Sequence, residues 1–315
     1  MSTMSFRLAA AFAAGLLLTA AASRAPHAQP SDDRSIDVAN ETITERIDQA
    51  FAAVRSGDLT PLSIFEDVGP AMIPAVIPYL RDDNEDVRRQ AVTLLGLTAS
   101  AEAAPHLASS LADQSDDIAR RAATALYEMG ADAVRDPSVG EALRASVLEG
   151  NDAGGAILLL GYVAGEDSVA ALSTLREREA GQSTEVFHWS PVVPVPFAAD
   201  VALTRLGDRP AKTRILATIR DGDFDALSFL LYALRDIEDR DVLRALADAT
   251  LADERPAQGD VPSHADLGIR LADVAAAQFV KRFDLSIGVD STADRPLTEA
   301  ELGLVREALS ARLAG

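Results

Sequence analysis

The feature that most constrains this chain is a helical pattern that repeats. Ile73, Val76, Ile77 and Leu80 stand at i, i+3, i+4 and i+7, which puts them on one face of a helix. The break Arg81-Asp82-Asp83-Asn84 follows, and Val87, Ala91, Leu94 and Leu95 then define a second helix in the same way. Asp86-Val87 recurs as Asp117-Ile118 after 31 residues. The helix end at residues 125–132 reappears at 202–208, and Ala199-Asp200-Val201-Ala202 recurs as Ala272-Asp273-Val274-Ala275 after 73 residues. Self-similarity at roughly 30 to 40 residues in helical pairs is the signature of a stacked repeat array, in which each unit buries its apolar face on its neighbours. No stretch alternates apolar and polar residues between turns, so no sheet is expected. Helix pairs are read near 70–98, 102–130, 138–164, 167–207, 211–238 and 241–284. A terminal helix near 298–313 opens on Thr298-Glu299-Ala300-Glu301, the spacing of a capping box. The expected fold is all-α: a right-handed α-solenoid of about six helix pairs with a C-terminal capping helix. Alanine is frequent on the second helix of each pair, which lets neighbouring pairs approach closely.

The N-terminus bears on the compartment. Arg7 precedes an apolar run from Leu8 to Ala22, and the small residues Ala20-Ala21-Ala22 and Ala25 to Ala28 offer cleavage points. Residues 1–28 therefore read as a secretory signal peptide, residues 29–43 as a flexible leader and residues 44–315 as the solenoid. The alternative, a retained membrane anchor, needs roughly 20 apolar residues, more than this run provides. The expected location is periplasmic or secreted, with no stable membrane span after cleavage. The chain has no cysteine, which excludes disulfides, thiolate metal sites and lipoprotein anchoring. Its formal charge of −20 becomes −22 once residues 1–28, with two arginines and no carboxylate, are removed. Phosphate-backbone binding needs a basic surface, so no nucleic acid is expected as a partner.

The stretch GPAMIPAVIPYLRDDNEDVRRQAVTLLGLTASAEAAPHLASSLADQSDDIARRAATALYEMG resembles two consecutive HEAT repeats. Its first unit has a proline-containing outer helix, then Asp82, then Val87-Arg88 opening the inner helix. The resemblance implies that Asp82 and Arg88 join a ladder of bonds between neighbouring units. The second unit keeps Asp113 and Ile118 but has Ala119 where arginine is usual, with Arg120 one place later. Arrays of this family mostly bind proteins or peptides, and a few have lyase-like or enzyme-assisting roles. The expected function is an exported HEAT-repeat scaffold binding a protein or peptide partner through its concave face and loop rim. The alternative is an enzyme or enzyme-assisting subunit of the HEAT-type lyase kind. No cofactor is expected.

Candidate chemistry is sparse. The run Asp82-Asp83-Asn84-Glu85-Asp86 lacks the glycine turn and distal glutamate of a calcium loop and reads as helix capping. His27, His106, His188 and His264 form no metal-ligand spacing, although His188 and His264 both precede inner helices. No nucleophile elbow is present, and the glycine-rich Gly150–Gly155 stretch lacks the lysine of a phosphate loop. The segment Gly181–Pro196, GQSTEVFHWSPVVPVP, interrupts the fourth pair with a long loop carrying Phe187, His188 and the single tryptophan, Trp189. A second insertion at Ala252–Ala265 occupies the corresponding place in the sixth pair, so the two share an expected rim. Arg88, Arg89, Arg120, Arg121 and Arg205 fall on inner helices. The partner-binding candidates are Phe187, His188, Trp189, Arg120 and Arg205. The alternatives are that Phe187 and Trp189 fold back onto the helices, and that the arginines pair with Asp86, Asp116 or Asp117.

Overall fold

The computed structural model describes residues 33–58, 69–150, 153–186, 190–257, 268–289, 292 and 295–314, with side chains from Ile43 onward. Residues 1–28, where the signal peptide is read, lie outside the described residues. The described residues form fourteen α-helices. In chain order these are α1 (Asp33–Arg55), α2 (Ile73–Val76), α3 (Glu85–Leu97), α4 (Ala104–Ser109), α5 (Asp116–Met129), α6 (Pro137–Glu149), α7 (Gly154–Leu160) and α8 (Glu166–Arg178). They continue as α9 (Val195–Arg205), α10 (Arg209–Asp221), α11 (Phe224–Tyr232), α12 (Arg240–Thr250), α13 (Leu271–Phe283) and α14 (Glu299–Ala314). Among the described residues, extended structure is limited to two dipeptides, β1 (Ser183–Thr184) and β2 (Val193–Pro194), and one bridge between Pro256 and Arg270. The fold is an all-α solenoid. Helix α1 starts at Asp33, inside the stretch expected as a leader.

The compact unit that begins at Ile43 is a two-row stack. Helices α3, α5, α7 and α9 pack in succession as an inner row, while α4, α6 and α8 pack as an outer row. Farther on, α10 packs on α12, α11 on α13, and α14 closes on both α12 and α13. Glycines set the inner spacing. A Cβ on Gly96 would meet the Ala125 Cβ at 2.9 Å, one on Gly155 the Ala123 carbonyl oxygen at 2.9 Å, and one on Gly161 the Ala202 Cα at 3.1 Å. Each contact joins one inner helix to the next through small residues, as the alanine-rich pattern led us to expect.

Local chemistry explains the helix ends. Pro74 and Pro78 cannot donate to an α-helical ladder, so the first outer helix is broken into the 3-10 turns Gly69–Met72 and Ile77–Arg81 around the short α2. Asn84 caps α3 by accepting from the Asp86 and Val87 N–H groups at 2.8 and 3.2 Å. Thr298 and Glu301 form a reciprocal capping box on α14, with Thr298 N–H donating to the Glu301 carboxylate at 2.7 Å and Glu301 N–H to Thr298 Oγ1 at 3.3 Å. Arg295 and the Thr298 donors hold the Glu301 pKa down at about 2.

The recurring Ala-Asp-Val-Ala segments place two buried carboxylates. Asp200 on α9 accepts from Arg176 Nε of α8 at 2.9 Å and from Arg214 Nη2 of α10 at 2.6 Å, tying three helices together. Asp273 on α13 accepts from Arg270 Nη2 at 2.9 Å and from the Leu297 N–H at 2.8 Å, which anchors the segment leading into α14. Buried charges of this kind persist because each is paired and hydrogen-bonded.

Candidate functional site

Four segments far apart in sequence converge where inner helices end. Tyr127 stands near the C-terminus of α5, Tyr162 just past α7, Arg205 at the last position of α9, and Arg235-Asp236 in the 3-10 turn between α11 and α12. Tyr127 Oη donates to Asp236 Oδ2 at 2.6 Å, and Tyr162 Oη donates to Asp236 Oδ1 at 2.6 Å. Each phenol ring is covered by a guanidinium. Arg205 Cζ lies 3.7 Å from the Tyr162 centroid and Arg235 Cζ 3.9 Å from that of Tyr127, within the range of a cation–π contact. Arg235 also donates to the Tyr127 carbonyl, at the negative end of α5 where a cation is favoured.

The electrostatics follow from enclosure. Asp236 is 1% exposed, and burial pushes its pKa up against the opposing pull of Tyr127, Tyr162, Arg235 and Arg205. Burial, reinforced by Asp236, raises both phenols, so they remain neutral donors. With both carboxylate oxygens occupied, the cluster is suited to holding geometry and not to moving protons. Glu128, beside it, is open to solvent at the surface, yet the atoms crowded around its carboxyl strip away enough hydration to push its pKa up to about 7, against the pull of Arg235.

Arg205 connects this cluster to the surface. Its Nη1 donates to the Asp236 carbonyl at 3.1 Å and its Nη2 to Glu238 Oε1 at 2.8 Å. Tyr162, Arg205 and Glu238 then form one wall of an open groove of about 710 Å³, whose other side is the first turn of α8 with Glu166, Val169 and Ala170. Gly165, the residue before α8, has φ +127°, a conformation that side-chain-bearing residues rarely adopt, and it leaves the rim open.

The other candidates are distributed elsewhere. Phe187, His188 and Trp189 lie outside the described residues, as does His264. The flanks of that loop are described and fold onto the inner row. Val186 is buried and its carbonyl accepts from Thr124 Oγ1 of α5 at 3.4 Å, while the Glu185 carbonyl accepts from the Gly154 N–H at 3.3 Å. The loop leads into the N-terminus of α9, whereas Arg205 and the groove sit at its C-terminus, roughly 16 Å away at 1.5 Å per residue. Arg120 is exposed on α5 and does not line the groove. Arg88 is buried and donates to both oxygens of Asp113, at 2.8 and 3.2 Å, and to the Asp82 carbonyl at 2.9 Å. The Asp82 carboxylate is bound by Arg55 of the preceding helix. Two equivalent aspartates thus each receive an arginine from the unit before, and Ala119 supplies no such arginine to the next. Arg89 and Arg121 both reach Asp117, each at 2.9 Å.

Among the described residues no group of His, Cys, Asp and Glu could hold a metal ion, and no helix is long and apolar enough to cross a membrane. The Tyr–Asp–Tyr cluster was missed by sequence reasoning because its members are 35 to 109 residues apart. Tyr127 does fall in the repeated helix end at 125–132, and tyrosines closing inner helices are a signal that could have led to it.

Three comparisons with known proteins bear on this architecture. A family model described as HEAT repeats matches residues 73–155. No curated protein matches the chain. Among solved structures, the complex of CpcE and CpcF of phycocyanin lyase from Nostoc sp. PCC7120 is 15% identical with a TM-score of 0.42, covering 91% of this chain and 99% of that one. Over residues 73–155, from α2 to the start of α7, this chain is similar to HEAT repeats.

Proposed function

We propose that this protein is an exported repeat scaffold that holds a segment of a protein partner in the groove beside Tyr162, Arg205 and Glu238. The observation that carries this reading is the groove itself. It is open at the surface, mixes apolar and ionic side chains, and backs onto a buried cluster that fixes its wall before any partner arrives. Preorganised walls reduce the ordering cost of binding, and stacked repeats offer extended surfaces for such contacts. The similarity of residues 73–155 to HEAT repeats supports the scaffold class. Export is supported by Arg7, the Leu8–Ala22 run and the small residues that follow.

The test is retention of a partner. Ala170 is exposed and lines the groove, so Ala170→Arg fills it at little cost to a helix, since Ala and Arg are both good formers. The wild-type chain purified from the exported fraction of its cells should carry a protein that the Ala170→Arg chain loses. Equal retention by both would place the binding surface elsewhere. N-terminal sequencing of that material should begin between Ala22 and Gln29, and an intact Met1 in a membrane fraction would show an anchor instead.

A second reading, an enzyme or enzyme-assisting subunit, is favoured by Glu128, whose pKa near 7 suits a general acid–base group. Glu128 does not line the groove, so it weighs less than the groove does. Loss of a measured activity in Glu128→Gln with the fold intact would reverse that order.

A further inference from the structure

The charge and shape of the groove narrow the class of segment it accepts. Glu166 and Glu238 both line it and both are exposed. Among the described residues Glu166 has no ion-pair partner, and Glu238 shares one oxygen with Arg205. Arg205, the cation in the wall, is already engaged three times: stacked on Tyr162, bonded to the Asp236 carbonyl, and paired with Glu238. An incoming carboxylate would have to break the Glu238 pair and then sit beside two glutamates in a chain of formal charge −20. An incoming cation can share Glu238 with Arg205 through its other carboxylate oxygen, leaving that pair intact, and meets Glu166, unpaired among the described residues. The field of the whole chain draws it in, and Val169, Ala170 and Leu206 supply apolar surface next to the carboxylates.

We infer that the groove binds a polypeptide segment in which a lysine or arginine is flanked by apolar residues, its cation held by Glu166 and Glu238 and its apolar neighbours lying on Val169, Ala170 and Leu206. This deepens the scaffold reading and rests on the groove being its docking site.

The experiment is selection of random octapeptides displayed on phage against the full chain, followed by affinity measurement of the enriched peptides. Peptides that lose binding to the Ala170→Arg chain are groove ligands. Among these, lysine or arginine beside an apolar residue should be enriched. The Glu166→Gln/Glu238→Gln chain should bind them at least tenfold more weakly, and so should the wild-type chain at 0.5 M salt compared with 0.05 M, because exposed charge pairs are screened. Both glutamates are exposed, so the double variant should keep the wild-type circular dichroism spectrum. Groove ligands that are acidic or uncharged, or that bind the double variant within twofold of wild type, would overturn the charge assignment and leave the scaffold reading standing. Selection that yields no groove-dependent peptide would overturn both.

Discussion

Replacing Tyr127 by Phe removes one oxygen from a cluster in which almost nothing is left to chance. Asp236 is 1% and Tyr127 2% exposed, so no bulk water can take over the donor that Asp236 Oδ2 loses. Hydrogen bonds to charged groups contribute about 1.5–3 kcal/mol to stability, and full enclosure places Tyr127→Phe in the upper half, about 2–3 kcal/mol. The ring remains, so its contact with Arg235 is kept and the loss reports on the hydroxyl. The effect should depend on pH with a fixed sign. The Tyr127 bond stabilises the ionised carboxylate and pulls the Asp236 pKa down, so its removal raises that pKa further. A raised carboxyl pKa withdraws stability as pH rises, and the deficit of the variant should therefore be larger at pH 8 than at pH 5. Tyr162→Phe, at a partly exposed ring, should cost about 1–2 kcal/mol. The double variant should lose less than the sum, because a protonated Asp236 is spared the cost of an unpaired buried charge. Urea denaturation followed by circular dichroism measures all three, and amide exchange should quicken together at the end of α5 and at residues 234–237. A loss below about 0.5 kcal/mol, or one that is the same at both pH values, would refute the reasoning.

Three further outcomes are expected. Asp200→Ala should cost about 2–3 kcal/mol, because it removes a buried carboxylate that binds two arginines, while Arg176 and Arg214, each about one-third exposed, can still be solvated, whereas Asp132→Ala should cost less than about 1 kcal/mol, since its pair with Arg135 is exposed; equal losses by chemical denaturation would contradict this. Gly155→Ala drives a Cβ against the Ala123 carbonyl, a contact of backbone with side chain that cannot swing away, and should cost about 1–3 kcal/mol in the same assay; a neutral or stabilising result would show that α5 and α7 can separate freely. For pH, burial works to raise Asp273 but Arg270 and the Leu297 N–H outweigh it and hold its pKa low, so its contribution is present above the ordinary carboxylate range and lost as pH falls. Glu128 acts in the opposite sense: its contribution is full below the ordinary range and is lost as pH rises through about 7. Since solvent reaches Glu128, about 1 kcal/mol is a fair discounted size, and Glu128→Gln should flatten the decline between pH 5 and 8; an unchanged decline would assign it to another group.

Much of this fold was legible because each helix pair is local. Ile73 to Leu80 and Val87 to Leu95 announce their faces within two turns, and the step from Asp86-Val87 to Asp117-Ile118 announces the stack. The capping box at Thr298 and Glu301 is readable for the same reason, since its parts lie three residues apart. The buried carboxylates were half legible. An aspartate inside Ala-Asp-Val-Ala is an acid in an apolar run, which implies a partner, but nothing local says that Arg176 and Arg214 will provide it. The cluster around Asp236 was not legible at all, because the stacking of inner helices, and not any sequence neighbourhood, brings Tyr127 and Tyr162 to one carboxylate. Repeat alignment put Arg205 on the second helix of its pair, and the structure places it at the last position of α9. The expected rim loop leads into the N-terminus of α9 and the groove lies at its C-terminus, since insertions are visible in sequence and a groove formed by helix ends is not.

The central claim is that a partner chain occupies the groove between α8 and the end of α9, and site-specific photocrosslinking tests it most directly. A photoreactive residue in place of Ala170 should give a discrete adduct with another protein in producing cells, while the same residue in place of Leu304, exposed on α14, should give none. Adducts at Leu304 but not at Ala170, or none at either position, would contradict the account.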